Sequence, residues 1–205
     1  MGRPSIGSVH RKALSRLSIV ERFLNKAKNL PSDLYGFVAE VMLLRIFSTI
    51  EYTVRETATR LACGVLYRDG YSPSHILCTC TSLSDAIDKF KSHNRTSPKR
   101  NLQFTNVTHT NDSIKYVIDS NEPFRQKLNA YGVKFEEMRK VRNHIAHRTS
   151  STGADFKNVI RQRYGGYIKL KPAVFLVSTK RHSPAIITEY LQVAKIMVED
   201  ITKSL

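Results

Sequence analysis

Apolar positions recur at helical spacing along most of the chain, and the pattern predicts a mainly α protein. Leu14, Leu17, Val20 and Leu24 stand three or four apart and mark a helix from about Val9 to Leu30. Pro31 ends it, and Ser32 is placed to cap the next. That second helix, about Asp33 to Val65, carries the longest stripe: Leu34, Val38, Val41, Leu44, Phe47, Ile50, Val54 and Leu61. Gly64 and Gly70 mark its end. Residues 1–8, rich in Gly, Pro and Ser, are expected to form a flexible leader.

Shorter helices are expected over Ser84–Phe90, Ser113–Ile118 and Pro123–Ala130, with residues 91–112 forming an exposed basic loop inserted in the domain. The stretch Tyr131-Gly132 breaks the pattern. It resumes over Lys134–Arg148 on Phe135, Met138, Val141 and Ile145, and Thr149–Gly153 stops it. Another helix is expected over Ala154–Arg163, with Gly165-Gly166 as a turn. The two-residue alternation of Tyr167–Lys171 predicts a strand pairing with Val174–Val177 as a small β-hairpin. A last amphipathic helix runs from about Ser183 to Thr202 through Ile186, Tyr190, Val193, Met197 and Ile201. Residues 9–205 thus read as one mainly helical domain.

Charge narrows the class of partner. The 205 residues hold 33 Lys and Arg against 17 Asp and Glu, a net charge of +16. The excess is spread over Arg11/Lys12, Lys26/Lys28, Lys99/Arg100, Arg139/Lys140, Arg161/Arg163 and Lys180/Arg181. Such a distribution favours a polyanion, and nucleic acid before membrane, because no basic amphipathic anchor stands out. No apolar run is long enough to span a bilayer, and no apolar signal core follows Met1. Cys63, Cys78 and Cys80 form neither a CxxC pair nor a zinc knuckle, which fits a reducing compartment. A cytoplasmic protein with no membrane partner is expected.

The densest chemistry lies in Arg142-Asn143-His144-Ile145-Ala146-His147. At about 100° per residue Asn143 and His147 share a helix face with His144 beside them, while Arg142 lies roughly 140° from His147 and meets its target only through a long side chain. Arg grips a phosphate bidentately and His moves protons near neutral pH. The pair suits phosphodiester cleavage without a metal or cofactor: Arg142 holds the phosphate, His147 acts as base or acid, and a second imidazole comes from His144 or from the His147 of another copy. Singly, these residues also read as helix C-terminal groups that answer the dipole, cap the last carbonyls or pack. His144-x-x-His147 lacks a helpfully spaced carboxylate or cysteine, so no metal site is expected.

This string resembles the Arg-polar-x3-His signature of the HEPN superfamily, small all-α ribonucleases and RNA-binding domains. The gap of four residues, the Asn directly after Arg and the Ala before the His all match, and the layout over residues 9–205 is similar in pattern. The resemblance implies a HEPN-type helical bundle. It also implies a metal-independent endoribonuclease acting on RNA by 2′-OH attack, as a homodimer with a composite active site. Arg142 and His147 would be catalytic and Asn143 the orienting polar residue. Such proteins are often toxins of toxin–antitoxin pairs or antiviral defence effectors, held by an antitoxin or regulatory protein. One subgroup carries a Tyr two residues after the His, where this chain has Thr149. The competing class is a non-catalytic RNA-binding or assembly module of the same fold.

A polar strip on the long helix adds candidates: Arg45, Ser48, Glu51, Tyr52 and Arg55. Glu51 either pairs with Arg55 on a solvated face or reaches the cleft as a fourth catalytic residue that orients Arg142 or His147. Arg45, His144 and Arg148 are the expected further RNA contacts. Tyr164 and Tyr167 beside Arg161 and Arg163 suit base stacking, but packing is the expected role.

Overall fold

The Oγ of Ser5 accepts from the backbone N of Ser8 at 3.2 Å, and the first helix starts behind that cap. Described by a computed structural model are residues 5–166, 168–179 and 182–205. Among them the order is α1 (Ile6–Ala27), α2 (Ser32–Ala62), α3 (Leu83–Ser92), α4 (Val107–Ile114), α5 (Pro123–Ala130), α6 (Gly132–His147), α7 (Ser150–Tyr164), α8 (Pro172–Val177) and α9 (Ile186–Ile201). The protein is mainly α. None of the described helices is long and apolar enough to cross a membrane. Over residues 5–8 the chain departs from the flexible leader expected for residues 1–8, the first four of which lie outside the described residues: Ile6 is already helical and fully buried, so its apolar side chain extends the helix back to the Ser5 cap.

Contacts divide the chain into two compact units, with α1, α2 and α9 contributing residues to both. The first comprises the chain up to Leu14, Ile50–Val133 and Ile196–Leu205. Its centre is a buried carboxylate, Glu122, whose Oε1 accepts from Tyr67 Oη at 2.5 Å. Glu122 Oε2 accepts from the backbone N of Ser74 and His75 at 3.2 and 2.7 Å, so the charge is well provided with donors. Ile76 and Ile118 form an isolated antiparallel bridge. The basic segment expected to stand out as a loop is tied down. Arg95 donates to the carbonyls of Phe90, Asp112 and Ser113, and Lys99 pairs with the Asp112 carboxylate. Helix α4 begins at Val107 rather than Ser113 because Asn106 caps it, accepting from the His109 N at 2.7 Å.

The second unit comprises Ser15–Thr49 and Lys134–Lys195. Phe135, Met138 and Val141 lie fully buried at three-residue intervals along α6, and Phe135 meets Phe47 of α2 with ring centroids 5.4 Å apart. An ionic cluster fixes the helix from its other flank. Arg163 of α7 donates to Glu137 of α6 at 2.5 Å and to Glu189 of α9 at 2.8 Å, and the hydroxyl of fully buried Tyr190 also donates to Glu137, at 2.7 Å.

The small β-hairpin expected near the C-terminus does not form among the described residues. Tyr167 lies outside them, residues 168–171 have no regular structure, and Pro172–Val177 is the helix α8. Pro172 stands in its first turn, where a missing N–H costs nothing. The adjacent Phe175 and Leu176 are both buried while Val174 is half exposed, an arrangement a two-residue period cannot give. Helix α8 approaches α2 closely. A Cβ added at Gly36 would lie 2.9 Å from the Cβ of Ala173.

Candidate functional site

Helix α6 ends at His147 because the chain turns sharply there. Arg148 takes a left-handed conformation with φ +48°, and its N donates to the His144 carbonyl at 3.1 Å. Thr149, expected to terminate a helix, starts one: its Oγ1 accepts from the N of Thr152 at 3.3 Å, and Thr152 Oγ1 accepts from the N of Thr149 at 3.1 Å. This reciprocal cap launches α7 immediately beside the end of α6.

The consequence falls on His144. Its ring stacks on Phe156 of α7, centroids 5.0 Å apart and planes 19° from parallel, with Nδ1 3.4 Å from Thr152 Oγ1. Phe156 in turn meets Phe175 of α8 edge-on at 5.4 Å. Burial lowers the pKa of His144 and the charge of Arg148 lowers it further, with Glu40 opposing. His144 is therefore a half-buried imidazole biased towards its neutral form, braced between α6 and α7.

Arg142 is held differently. Its guanidinium lies over the ring of Phe47, 5.5 Å from the centroid, and Nη1 donates to Asn143 Oδ1 at 3.0 Å. That bond draws the charge of Arg142 around the helix towards the face shared by Asn143 and His147. His147, the last residue of α6, is exposed. Arg148 is exposed too, and its Nη2 lies 3.7 Å from Glu40 Oε2 of α2, a distance worth little at the surface.

Among the residues singled out from sequence, the fold brings Arg142, Asn143, His144, His147 and Arg148 to one end of α6. Arg45 is exposed on α2 about 160° around the helix from Phe47, against which Arg142 rests. It lines another recess, with Arg16. Glu51 belongs to the first unit, half-buried on α2, while Arg55 pairs with Glu56 at 3.3 Å. Near the end of α6 stands the carboxylate of Glu40, which sequence reasoning passed over, as it did Phe156; Phe47 was read only as a core position and Thr152 only as part of a stop. Thr149 was the legible signal for α7, since Thr is a favoured N-cap residue.

Tyr164 packs as expected, meeting Phe175 and His182 edge-on at 6.4 and 5.0 Å. In comparisons with known proteins, the chain matches no family model, no curated protein and no solved structure.

Proposed function

We propose that the chain is a metal-independent endoribonuclease of the HEPN type. The observation that carries the reading is the pairing at the end of α6 of a guanidinium oriented by its neighbouring amide with an imidazole open to solvent. Arg142 binds the scissile phosphate and offsets the charge that grows on it. Asn143 Oδ1 serves Arg142, which leaves the Nδ2 hydrogens to donate to a phosphate oxygen. His147 takes the 2′-OH proton, the 2′ oxygen attacks phosphorus, and the 5′ oxygen leaves with a proton from a second imidazole. The products are a 2′,3′-cyclic phosphate and a 5′-hydroxyl. Since His144 is braced against Phe156, the second imidazole is assigned to the His147 of another copy, and the active species is a homodimer.

A non-catalytic RNA-binding or assembly module is the second reading, favoured by the packing role of His144. Cleavage of total RNA in EDTA separates the two. Discrete fragments with cyclic-phosphate ends, lost in both Arg142→Ala and His147→Ala, support the nuclease. No fragments from folded wild type, with or without magnesium, leave the binding module.

A further inference from the structure

The outward face of α7 carries cations that the fold itself does not use. Lys157, Asn158, Arg161 and Gln162 are all exposed, and none of their side chains meets a partner among the described residues. They form two rungs, Lys157 with Asn158 and Arg161 with Gln162, four residues and thus about 6 Å apart along the axis. Residues four apart share a helix face, so the cations line one strip and the amides the next. Elsewhere in the second unit carboxylates take up cations: Glu137 and Glu189 hold Arg163, Glu189 holds Lys134, and Glu136 holds Arg139. The one carboxylate of α7, Asp155, is half-buried and its charge acts on Arg139 of α6. The cation strip starts beside the candidate site. A Cβ at Gly153 would lie 3.6 Å from the His144 ring, and Lys157 and Arg161 follow Gly153 at four-residue steps, leading away from the end of α6.

We infer that this face of α7 is a track for single-stranded RNA, carrying the strand away from the Arg142 and His147 end of α6. The inference rests on the nuclease reading for what the strand is. A step of about 6 Å along the helix is on the order of the step between neighbouring phosphates of a single strand. Lys157 and Arg161 are therefore placed to meet successive phosphates, and such contacts fix the register of a strand without reading its sequence. The amides favour RNA over an acidic protein segment. Asn158 and Gln162 each present a donor and an acceptor, the mixed set that the edges of unpaired bases present in return. A carboxylate has acceptors only, and would leave both amide oxygens facing like partners. Base edges are open in this way in a single strand, whereas the deep, narrow groove of an RNA duplex hides them from side chains.

The test is fluorescence anisotropy across a salt series with a short 2′-O-methyl oligouridylate, which has no free 2′-OH and so cannot be cut by 2′-OH attack. Lys157→Gln and Arg161→Gln should each weaken binding about fivefold near 0.1 M salt and reduce the slope of log affinity against log salt by about 0.7, the share of one single-strand phosphate contact. The double variant should lose about 1.4 of that slope. Asn158→Ala combined with Gln162→Ala should weaken binding and leave the slope unchanged. Arg22→Gln, exposed on α1, should alter neither. Wild-type affinity and slope in the double cation variant overturn the track, as does a wild type that does not bind the oligonucleotide. Decaglutamate binding that falls with the two cations, while oligonucleotide binding holds, overturns it in favour of an acidic protein segment. The track and the nuclease fail separately. Metal-free cleavage with oligonucleotide binding indifferent to Lys157 and Arg161 removes the track alone, and cation-dependent binding with no cleavage of RNA removes the nuclease alone.

Discussion

Arg142 Nη1 donates to Asn143 Oδ1 at 3.0 Å, and this bond determines which end of the amide faces outward. A guanidinium has only donors, so the carbonyl oxygen must turn to it and the NH₂ must turn away. Asn143 then both orients Arg142 and supplies a donor of its own. Replacing it with Ala should lower kcat/KM for RNA cleavage by about ten- to a hundredfold. Asn143→Asp should fall further, although it keeps the bond to Arg142, because it exchanges the outward donor for a negative charge. Single-turnover cleavage of a defined RNA checks the order. An Asp variant more active than the Ala variant would remove the amide from phosphate contact.

If the second imidazole is the His147 of another copy, as proposed, the active species is a dimer. Specific activity per chain should then rise with concentration and level off as the dimer fills. Cleavage rates across a dilution series, beside sedimentation of the same samples, check this. Activity proportional to chain concentration down to the monomer range would assign both proton transfers to one chain.

A packing role for His144 was legible in the sequence, but the residues it packs on were not. Its partners Phe156 and Thr152 lie on the helix that follows, and Thr149–Gly153 reads as a stop until the cap between Thr149 and Thr152 is seen. Long helices were readable because most of their buried positions are apolar: α2 and α9 fall close to their predicted spans, and α5 coincides with Pro123–Ala130. Helix α4 was misplaced because two of its three buried residues, Thr110 and Ser113, are polar and leave no hydrophobic period. The hairpin misled for the opposite reason. Lys169-Leu170-Lys171 alternates in sequence, yet no buried face corresponds to the alternation. The sequence did not show which basic residues the fold itself uses: Lys99, Arg139 and Arg163 are each engaged by carboxylates of the chain.

Stability should depend on pH through His144. Its folded pKa lies below the unfolded value of 6.5, so the unfolded chain binds more protons in the interval between them. Its stabilising contribution is full above pH 6.5 and is lost as pH falls towards the folded pKa. Melting temperature should therefore drop on going from pH 7.5 to pH 5, and the drop should be smaller in His144→Phe, which keeps a ring against Phe156. Identical pH profiles for the two proteins would remove His144 as the cause.

Gly36 should resist even the smallest enlargement. A Cβ there meets the Ala173 Cβ at 2.9 Å and the Ala173 backbone at 3.5 Å, so α8 must move. Overpacking costs about 1–3 kcal/mol, against a helix-propensity gain of about 1 kcal/mol for Ala over Gly. Gly36→Ala should thus lower the melting temperature by roughly 2–4 °C, the shift for about 1 kcal/mol in a chain of this size. Ala173→Gly in the same chain should restore it. A stabilised Gly36→Ala would show that α8 yields without cost.

Arg163 is the residue whose removal should harm the second unit most. It stands between Glu137 and Glu189, and its side chain and that of Glu137 are only 12% and 11% exposed. Burial raises the carboxyl of Glu189, but the bonds to Arg163 and Lys134 outweigh it and hold the pKa at about 2. The unfolded value is 4.5, so this stabilisation is complete above pH 4.5 and is lost as pH falls towards 2. Arg163→Met leaves the buried Glu137 without its cation and Glu189 with Lys134 alone, and should cost about 3–5 kcal/mol at neutral pH, the usual loss when one partner of a buried pair is removed. Arg163→Lys, a point charge without the fork that serves both carboxylates, should fall between wild type and Met. Urea unfolding of the three proteins at pH 7 and pH 4 gives the readout. The deficit of the Met variant should shrink at pH 4, where protonation relieves the carboxylate of Glu137 that has lost its cation. A deficit that stays the same at both values would assign the effect to lost packing of the arginine stem instead.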